Sequence, residues 1–166
     1  TREFAPGFRV SAGAHLLHQM PARVIDELAL ESHGLRWAAL DLASVALAGS
    51  AGPVLMKPDG SIDGPGIGAD REAYALLLQR LRRFAAALRP ALEMVPPELG
   101  PNSWPDRMNL LHLGWRLRRL GRRDLRELLR IGGMSVYDLL TDYLSAPLVQ
   151  GALALDAVLG TNLGPR

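Results

Sequence analysis

DREAYALLLQRLRRFAAALRP, residues 70–90, is the stretch that decides the fold class. Its apolar residues recur at intervals of three and four, which places them on one face of an α-helix. They are Tyr74, Leu77, Leu78, Leu81, Phe84, Ala85 and Leu88, with Leu92 just beyond the stretch. Asp70 is a residue type favoured at helix N-caps, and Pro90 is expected to kink or end the helix. The pattern predicts a long helix that starts at Asp70.

Helical patterns continue after this stretch. They predict helices from Ser103 to Gly121, from 123 to 131, from Ser135 onward and from Pro147 to Gly160. Ser103-x-x-Asp106 and Ser135-x-x-Asp138 resemble capping boxes. The expected apolar positions of the first of these helices are Met108, Leu111, Trp115 and Leu117, and those of the third are Val136, Leu139, Leu140 and Tyr143.

Short apolar segments bounded by Gly and Pro precede the long helix. Such segments are typical of strands, and they lie at 8–15, 35–41, 44–48 and 53–57, with a hairpin across Gly49-Ser-Ala-Gly52. A helix is predicted over 21–32, because Pro21 suits a first turn and Gly34 suits a left-handed stop.

This order of elements predicts an α+β fold: a small antiparallel sheet in the N-terminal third, then a mainly helical region. At 166 residues the chain is expected to form one domain, 1–166, with the sheet and one helix in 1–69 and the helices in 70–166. So few strands leave a sheet edge uncovered. Missing strands could come from a longer parent chain, or a second copy could pair there as a homodimer.

Several classes of site are excluded by residue content. The chain has no cysteine, which rules out disulfides, thiolate zinc sites and cysteine nucleophiles. Its four histidines show no metal-ligand spacing, and no serine stands in GxSxG. Gly64-Pro-Gly-Ile-Gly68 lacks the spacing of a phosphate-binding loop, and Pro65 removes an amide, so a flexible connector is the better interpretation.

The sequence contains no export signal and no apolar run long enough to cross a membrane. This predicts a cytoplasmic location, and peripheral contact with a membrane stays open as an alternative. The sequence begins at Thr1 without an initiator methionine and ends on Gly164-Pro165-Arg166 directly after a helical pattern. Both ends suggest an interior piece of a longer parent protein.

Charge is concentrated in the middle of the chain. The net charge is +2, but residues 70–130 hold thirteen basic and seven acidic residues, a local excess of six. Seven arginines cluster around the Gly121 bend and could contact an acidic surface: Arg116, Arg118, Arg119, Arg122, Arg123, Arg126 and Arg130. Together with an apolar face of leucines 117, 120, 125, 128 and 129, these arginines could bind an anionic membrane. Nucleic acid is disfavoured, because no aromatic residue is interleaved with the arginines to stack on bases. A solvated face in an arginine-rich protein is the plain alternative.

Four segments, in order, resemble phytoene-desaturase-like FAD-dependent oxidoreductases, in the branch of the pyridine-nucleotide-disulfide-oxidoreductase-domain proteins. They are TREFAPGFRVSAGAHLL at 1–17, PARVIDELALESHGL at 21–35, the helix from DREAYA at 70 to the double proline at 96–97, and residues 137–161 with LLTDYLSAPL and DAVLG. The resemblance thus covers nearly the whole chain.

The resemblance implies that the chain is part of the substrate-binding domain of a flavoenzyme that oxidises or desaturates an apolar, isoprenoid or carotenoid-like substrate. The family's GxGxxG unit, acidic ribose ligand, Arg-x-Gly-Gly stretch and C-terminal flavin motif are not found in residues 1–166. FAD is therefore expected in the parent protein, held by the missing flavin-binding part, with no cofactor or metal bound by this chain alone. The parent is predicted to be an enzyme, while activity of the chain alone stays open.

On this resemblance the candidates for the substrate side are Phe8, Val10, His15 and Tyr137, although the residue pattern alone favours an ordinary structural role for His15. The alternative function is a stand-alone helical interaction or membrane-surface module that uses the arginine cluster.

Overall fold

The computed structural model describes residues 2–10, 20–47, 49, 52–97 and 104–158, and it leaves the side chains of Arg2, Phe4, Val10 and Asp156 undescribed. Two compact units are present, Thr1–Leu40 and Asp41–Arg166. The fold class is α+β, as predicted: short antiparallel strands are followed by a mainly helical region.

The first unit contains a hairpin and one short helix. Strands β1 (Arg2–Ala5) and β2 (Phe8–Val10) pair antiparallel around a turn in which Gly7 has φ +80. The predicted strand at 8–15 is thus confirmed over 8–10, and its remainder lies outside the described residues.

Helix α1 (Ala22–Glu27) is shorter than the predicted 21–32. Ala29 takes a left-handed φ of +45, and the Leu30 amide then donates to the Ile25 carbonyl, the pattern that closes a helix C-terminus. Gly34, with φ +96, ends the following turn as expected.

The second unit is built on a three-stranded antiparallel sheet of β3 (Ser44–Ala46), β4 (Val54–Met56) and β5 (Ile62–Asp63), in the order β3-β4-β5. The predicted hairpin is confirmed, with Val45 opposite Leu55. The predicted strand at 35–41 is wrong, because these residues are irregular with bends at Ala38, Leu40 and Asp41, and Asp41 has φ +50, outside the extended region. The third strand comes instead from Ile62–Asp63, too short for its sequence to show alternation.

Five helices follow: α2 (Asp70–Glu93), α3 (Trp104–Arg119), α4 (Gly121–Gly132), α5 (Val136–Tyr143) and α6 (Pro147–Val158). Pro90 does not end α2, which continues for three more residues. The predicted N-cap at Asp70 is also wrong: Ala69 holds that position and Asp70 is the first helical residue. The predicted start at Ser103 and the predicted end at Gly160 lie outside the described residues.

The capping prediction for α5 is confirmed. Ser135 occupies the N-cap and its hydroxyl oxygen accepts a hydrogen bond from the Asp138 amide at 3.1 Å. Gly121, with φ +84, allows the chain to turn between α3 and α4.

The core of the second unit lies between one face of the sheet and helices α2, α5 and α6. Its buried members come from the sheet (Ala46, Val54, Met56, Ile62), from α2 (Tyr74, Leu77) and from the region of α5 and α6 (Leu140, Leu144, Ala146, Val149), with Ile67 before α2. Since strand side chains alternate between faces, Val45 and Leu55 point to the other side of the sheet.

Candidate functional site

The predicted substrate-side residues are distributed over both units. Phe8 lies on β2 in the first unit with 65% of its surface exposed, and Tyr137 lies on α5 in the second with 38% exposed. The Val10 side chain and all of His15 lie outside the described residues.

The seven arginines of the predicted cluster lie at the end of α3 and along α4, but they do not behave as one set. Arg130 is bonded within the chain, to Glu127 and to Asp142, each at 2.7 Å. The Arg119 guanidinium lies over the Trp115 ring, 4.6 Å from its centroid. The other five form no ion pair with a residue that the structure describes, and all are exposed: Arg116, Arg118, Arg122, Arg123 and Arg126.

The apolar surface beside these arginines differs from the leucine face predicted from the sequence. Leu117, Leu120, Leu125 and Leu128 are half-buried, and of that set only Leu129 is largely exposed. The exposed apolar side chains lie on α3 instead. Besides Leu110 at 38%, they are Trp104 at 68%, Met108 at 37%, Leu111 at 64% and Trp115 at 57% exposure, and we call these last four residues the α3 stripe.

A second apolar surface lies on the side of the sheet away from the core. Val45, at 56% exposure, stands beside the half-buried Leu55, and Leu47 follows β3 with 77% exposed. We call Val45, Leu47 and Leu55 the open sheet face. Next to it, Asp63 on β5 accepts from Arg71 at 2.7 Å and from Lys57 at 3.3 Å, so the face passes from apolar to charged across the sheet.

Ionisable groups meet at one place between α2, α4 and α5. The Tyr143 hydroxyl donates to the Glu127 carboxylate and accepts from Arg80 at 2.7 Å, while Arg130 bonds Glu127 from one side and Asp142 from the other. We call these five residues the Tyr143 cluster. Arg80 and Arg130 also lie over the Tyr143 ring, 5.7 Å and 6.0 Å from its centroid.

The electrostatics of the Tyr143 cluster indicate a structural role. The hydrogen bonds from Arg130 and then from Tyr143 lower the pKa of Glu127 from 4.5 to about 2. The same pairing, first with Glu127 and then with Asp142, raises the pKa of Arg130. Because neither Glu127 nor Arg130 changes its charge near neutral pH, their ion pair is kept there, and the bonds of the cluster join α2, α4 and α5.

Asp70 is the one buried charged residue among those described, with 3% exposure. Burial raises its pKa, but the hydrogen bonds from the Ser145 side chain and from the amides of Ala146 and Ser145 together outweigh burial, and the pKa of Asp70 is lowered. All its donors belong to Ser145 and Ala146, directly before α6, so this carboxylate also positions a helix.

The turn at Gly64 is packed against β4: a Cβ at this position would lie 2.8 Å from the Pro53 carbonyl oxygen and 2.9 Å from the Val54 Cα. Within the described ranges no group of three or more His, Asp or Glu side chains is arranged to hold a metal ion.

Sequence reasoning missed the partners of both ionisable sites. Arg80 and Glu127 belong to no sequence motif, and periodicity predicts Tyr143 only as a residue on an apolar helix face. The sequence does show that the α3 stripe shares one helix face, because Trp104, Met108, Leu111 and Trp115 are spaced four, three and four residues apart. The same spacing is also typical of a helix face buried in a core.

Comparison of the chain with protein-family models, with curated proteins and with solved structures finds no match. Within the described residues, none of the helices is long and apolar enough to cross a membrane.

Proposed function

We propose that this chain is the substrate-binding portion of an FAD-dependent oxidoreductase that acts on an apolar substrate of the isoprenoid or carotenoid-like class. The flavin is held by another part of the parent protein, because the GxGxxG unit and the other flavin motifs of the resembling family are not found in residues 1–166. In such enzymes the cofactor performs the redox chemistry and the protein binds and orients the substrate.

The open sheet face is the observation that carries the proposal. Helices cover one side of the three-stranded sheet, while Val45 and Leu47 on the other side remain more than half exposed. Exposed apolar side chains on a rigid sheet are suited to contact with an apolar substrate or with the domain that encloses it. The order of the four resembling segments supports the same assignment.

The charges of the second unit are compatible with this role. The ionisable groups of the Tyr143 cluster and Asp70 are bonded to one another or to backbone amides, and they serve to hold helices in place. Binding an apolar molecule requires a rigid surface more than reactive side chains. These bonds join α2, α4, α5 and α6, and three of these helices, α2, α5 and α6, pack on the sheet.

The test uses the complete natural polypeptide that contains these residues. We expect it to purify with visible flavin absorbance, and we expect this absorbance to bleach under anaerobic conditions when an apolar polyene is added but not when a polar molecule of similar length is added. A complete polypeptide without flavin would contradict the proposal and favour the alternative, a stand-alone interaction module.

The contribution of the open sheet face is tested by Val45→Lys, with Val45→Ile as the matched control. The lysine places a charge on an apolar surface, and we expect flavin reduction by the polyene to slow at least about tenfold, equivalent to about 1.4 kcal/mol. The isoleucine variant should stay near the native rate. Equal rates in all three proteins would remove this face from the substrate path.

A further inference from the structure

The α3 stripe lies along a single side of its helix. At 3.6 residues per turn, Trp104, Met108, Leu111 and Trp115 fall within an arc of about 60°. A tryptophan stands at each end of this line, and the two rings are 68% and 57% exposed. The stripe is therefore a continuous apolar strip about three turns long.

The opposite side of α3 is the one that packs against the rest of the unit. Leu113 and Leu117 lie about half a turn away from the stripe and are half-buried, and α3 contacts α2 and α4. The stripe consequently points away from the core, and its exposure does not result from a helix that fails to pack.

Positive charge surrounds the stripe. Between Trp104 and Arg126 the sequence contains seven arginines and two aspartates, and one of those aspartates, Asp124, is paired with Arg83 of α2 at 2.7 Å. Arg118 lies at the edge of the stripe, and the Arg119 guanidinium lies over Trp115. Arg122 and Arg123 extend the charge into α4, exposed and without an ion pair to any described residue.

We propose that the α3 stripe binds the surface of an anionic phospholipid bilayer. The helix lies parallel to the surface, Met108 and Leu111 enter the boundary of the acyl chains, and the two tryptophans lie at headgroup level, where their amphipathic rings are favoured. The arginines contact lipid phosphates. This inference goes beyond the proposed flavin enzyme and stands without it.

The shape of the surface favours a bilayer over a protein or a nucleic acid. The shallow depression beside the stripe is an open helix surface, since its lining comes from α3 alone: Leu110, Leu111, Gly114 and Trp115 with Arg107 and Arg118. Of the stripe residues, Trp115 also borders a depression between α2 and α3. A helix ligand or peptide prefers a groove. Single-stranded nucleic acid stacks its bases on aromatic rings, and Arg119 already occupies one face of the Trp115 ring.

The first experiment measures co-sedimentation of the complete natural polypeptide with vesicles. One set contains phosphatidylcholine alone, and the other contains equimolar phosphatidylcholine and phosphatidylglycerol. We expect binding to the anionic vesicles to be at least about tenfold tighter and to fall when salt is raised from about 0.1 M to about 1 M, because the arginine–phosphate attraction is screened.

The second experiment places a charge on the stripe. Leu111→Glu is compared with Leu129→Glu, which changes an equally exposed leucine on α4 outside the stripe; Leu111 is 64% and Leu129 70% exposed. We expect Leu111→Glu to weaken binding to anionic vesicles at least about tenfold, while Leu129→Glu binds within a factor of about three of the native protein. Because both side chains are exposed, both variants should keep the native melting temperature.

Three results would overturn the proposal: no binding to either vesicle set, equal binding to both, or native binding by Leu111→Glu. The first is the outcome expected if another protein segment covers the stripe. Flavin absorbance is recorded on the same samples, so vesicle binding without flavin would reject the proposed enzyme alone, and flavin without vesicle binding would reject the membrane surface alone.

Discussion

The carboxylate of Asp70 accepts hydrogen bonds from the amides of Ser145 and Ala146, at 2.9 Å and 2.6 Å, across a sequence separation of 75 and 76 residues. The Ser145 hydroxyl donates to the same carboxylate at 2.7 Å. These amides immediately precede Pro147, the first residue of α6, where free amides and the helix dipole favour a negative charge. The first residue of α2 thus caps the start of α6.

Asp70→Asn is expected to destabilise the protein by about 1.5–3 kcal/mol, because a neutral amide replaces a buried charged acceptor that serves three donors. The measurement is urea unfolding, with a lower midpoint and an unchanged slope. Asp41→Asn is the control: Asp41 is exposed with φ +50, a conformation that Asn also tolerates. Equal midpoints for the two variants would argue against this role of Asp70.

Tyr143→Phe is expected to destabilise the protein by about 1–3 kcal/mol, because Arg80 and Glu127 each lose a hydrogen-bond partner. Tyr74→Phe is the matched control. Its ring is buried on α2, but its hydroxyl forms no hydrogen bond with a described residue, so a loss below about 0.5 kcal/mol is expected. Thermal unfolding of both variants gives the comparison, and equal losses would contradict the importance of the cluster.

Stability is expected to fall in acid. The pKa of Glu127 is about 2 in the folded protein and 4.5 for an ordinary glutamate, so its stabilising contribution is complete above about pH 4.5 and is lost as the pH falls toward about 2. The pKa of Asp70 is lowered as well, which acts in the same direction.

Glu127→Gln is expected to be less stable at neutral pH and to show a shallower decline over this acid range. The control is Glu72→Gln, an exposed position on α2, which should keep the native profile. The test is the urea midpoint measured at a series of pH values. If the midpoint of Glu127→Gln falls with acid as steeply as that of the native protein, the assignment is contradicted.

Gly64→Ala is expected to cost about 1–3 kcal/mol, because the added Cβ would lie within 2.9 Å of Pro53 and Val54 atoms at a backbone φ of +153. Gly151→Ala in α6 has open space around the new Cβ and should be neutral or stabilising by up to about 1 kcal/mol. We expect the denaturation midpoint of Gly64→Ala to lie below the native value and that of Gly151→Ala to lie at or above it. An unchanged midpoint for Gly64→Ala would show that β4 moves to accommodate the extra atom.

Features that depend on local interactions could be predicted from the sequence. Ser135 caps α5, Pro147 opens α6 and Gly121 separates α3 from α4, because each acts through a backbone preference or through a hydrogen bond three or four residues away. The β3–β4 hairpin and the α+β class could be predicted for the same reason, from the periodicity of apolar residues and from the residue types at turns. The predicted ends of helices and strands were less accurate where a single residue has a backbone conformation outside the helical or extended region, as at Ala29 and Asp41.

The candidate surfaces depended on tertiary structure. Periodicity showed that Met108, Leu111 and Trp115 share a helix face, but it could not show that this face points away from the core, because that depends on which side of α3 packs on α2. Arg130 was predicted with the exposed arginines and is instead bonded to Glu127 and Asp142.

The sequence by itself determined the order of the long helices and the β3–β4 hairpin, since those choices are made mainly by neighbours along the chain, but it did not show β5 or the early end of α1. Only the tertiary structure decided that Asp70 caps α6 in place of its own helix and that Tyr143 joins Arg80 to Glu127. The physical reason is that a buried charge or hydroxyl takes whichever donors and acceptors the packed fold brings within about 3 Å, and partners more than 60 residues apart leave no periodic trace in the sequence.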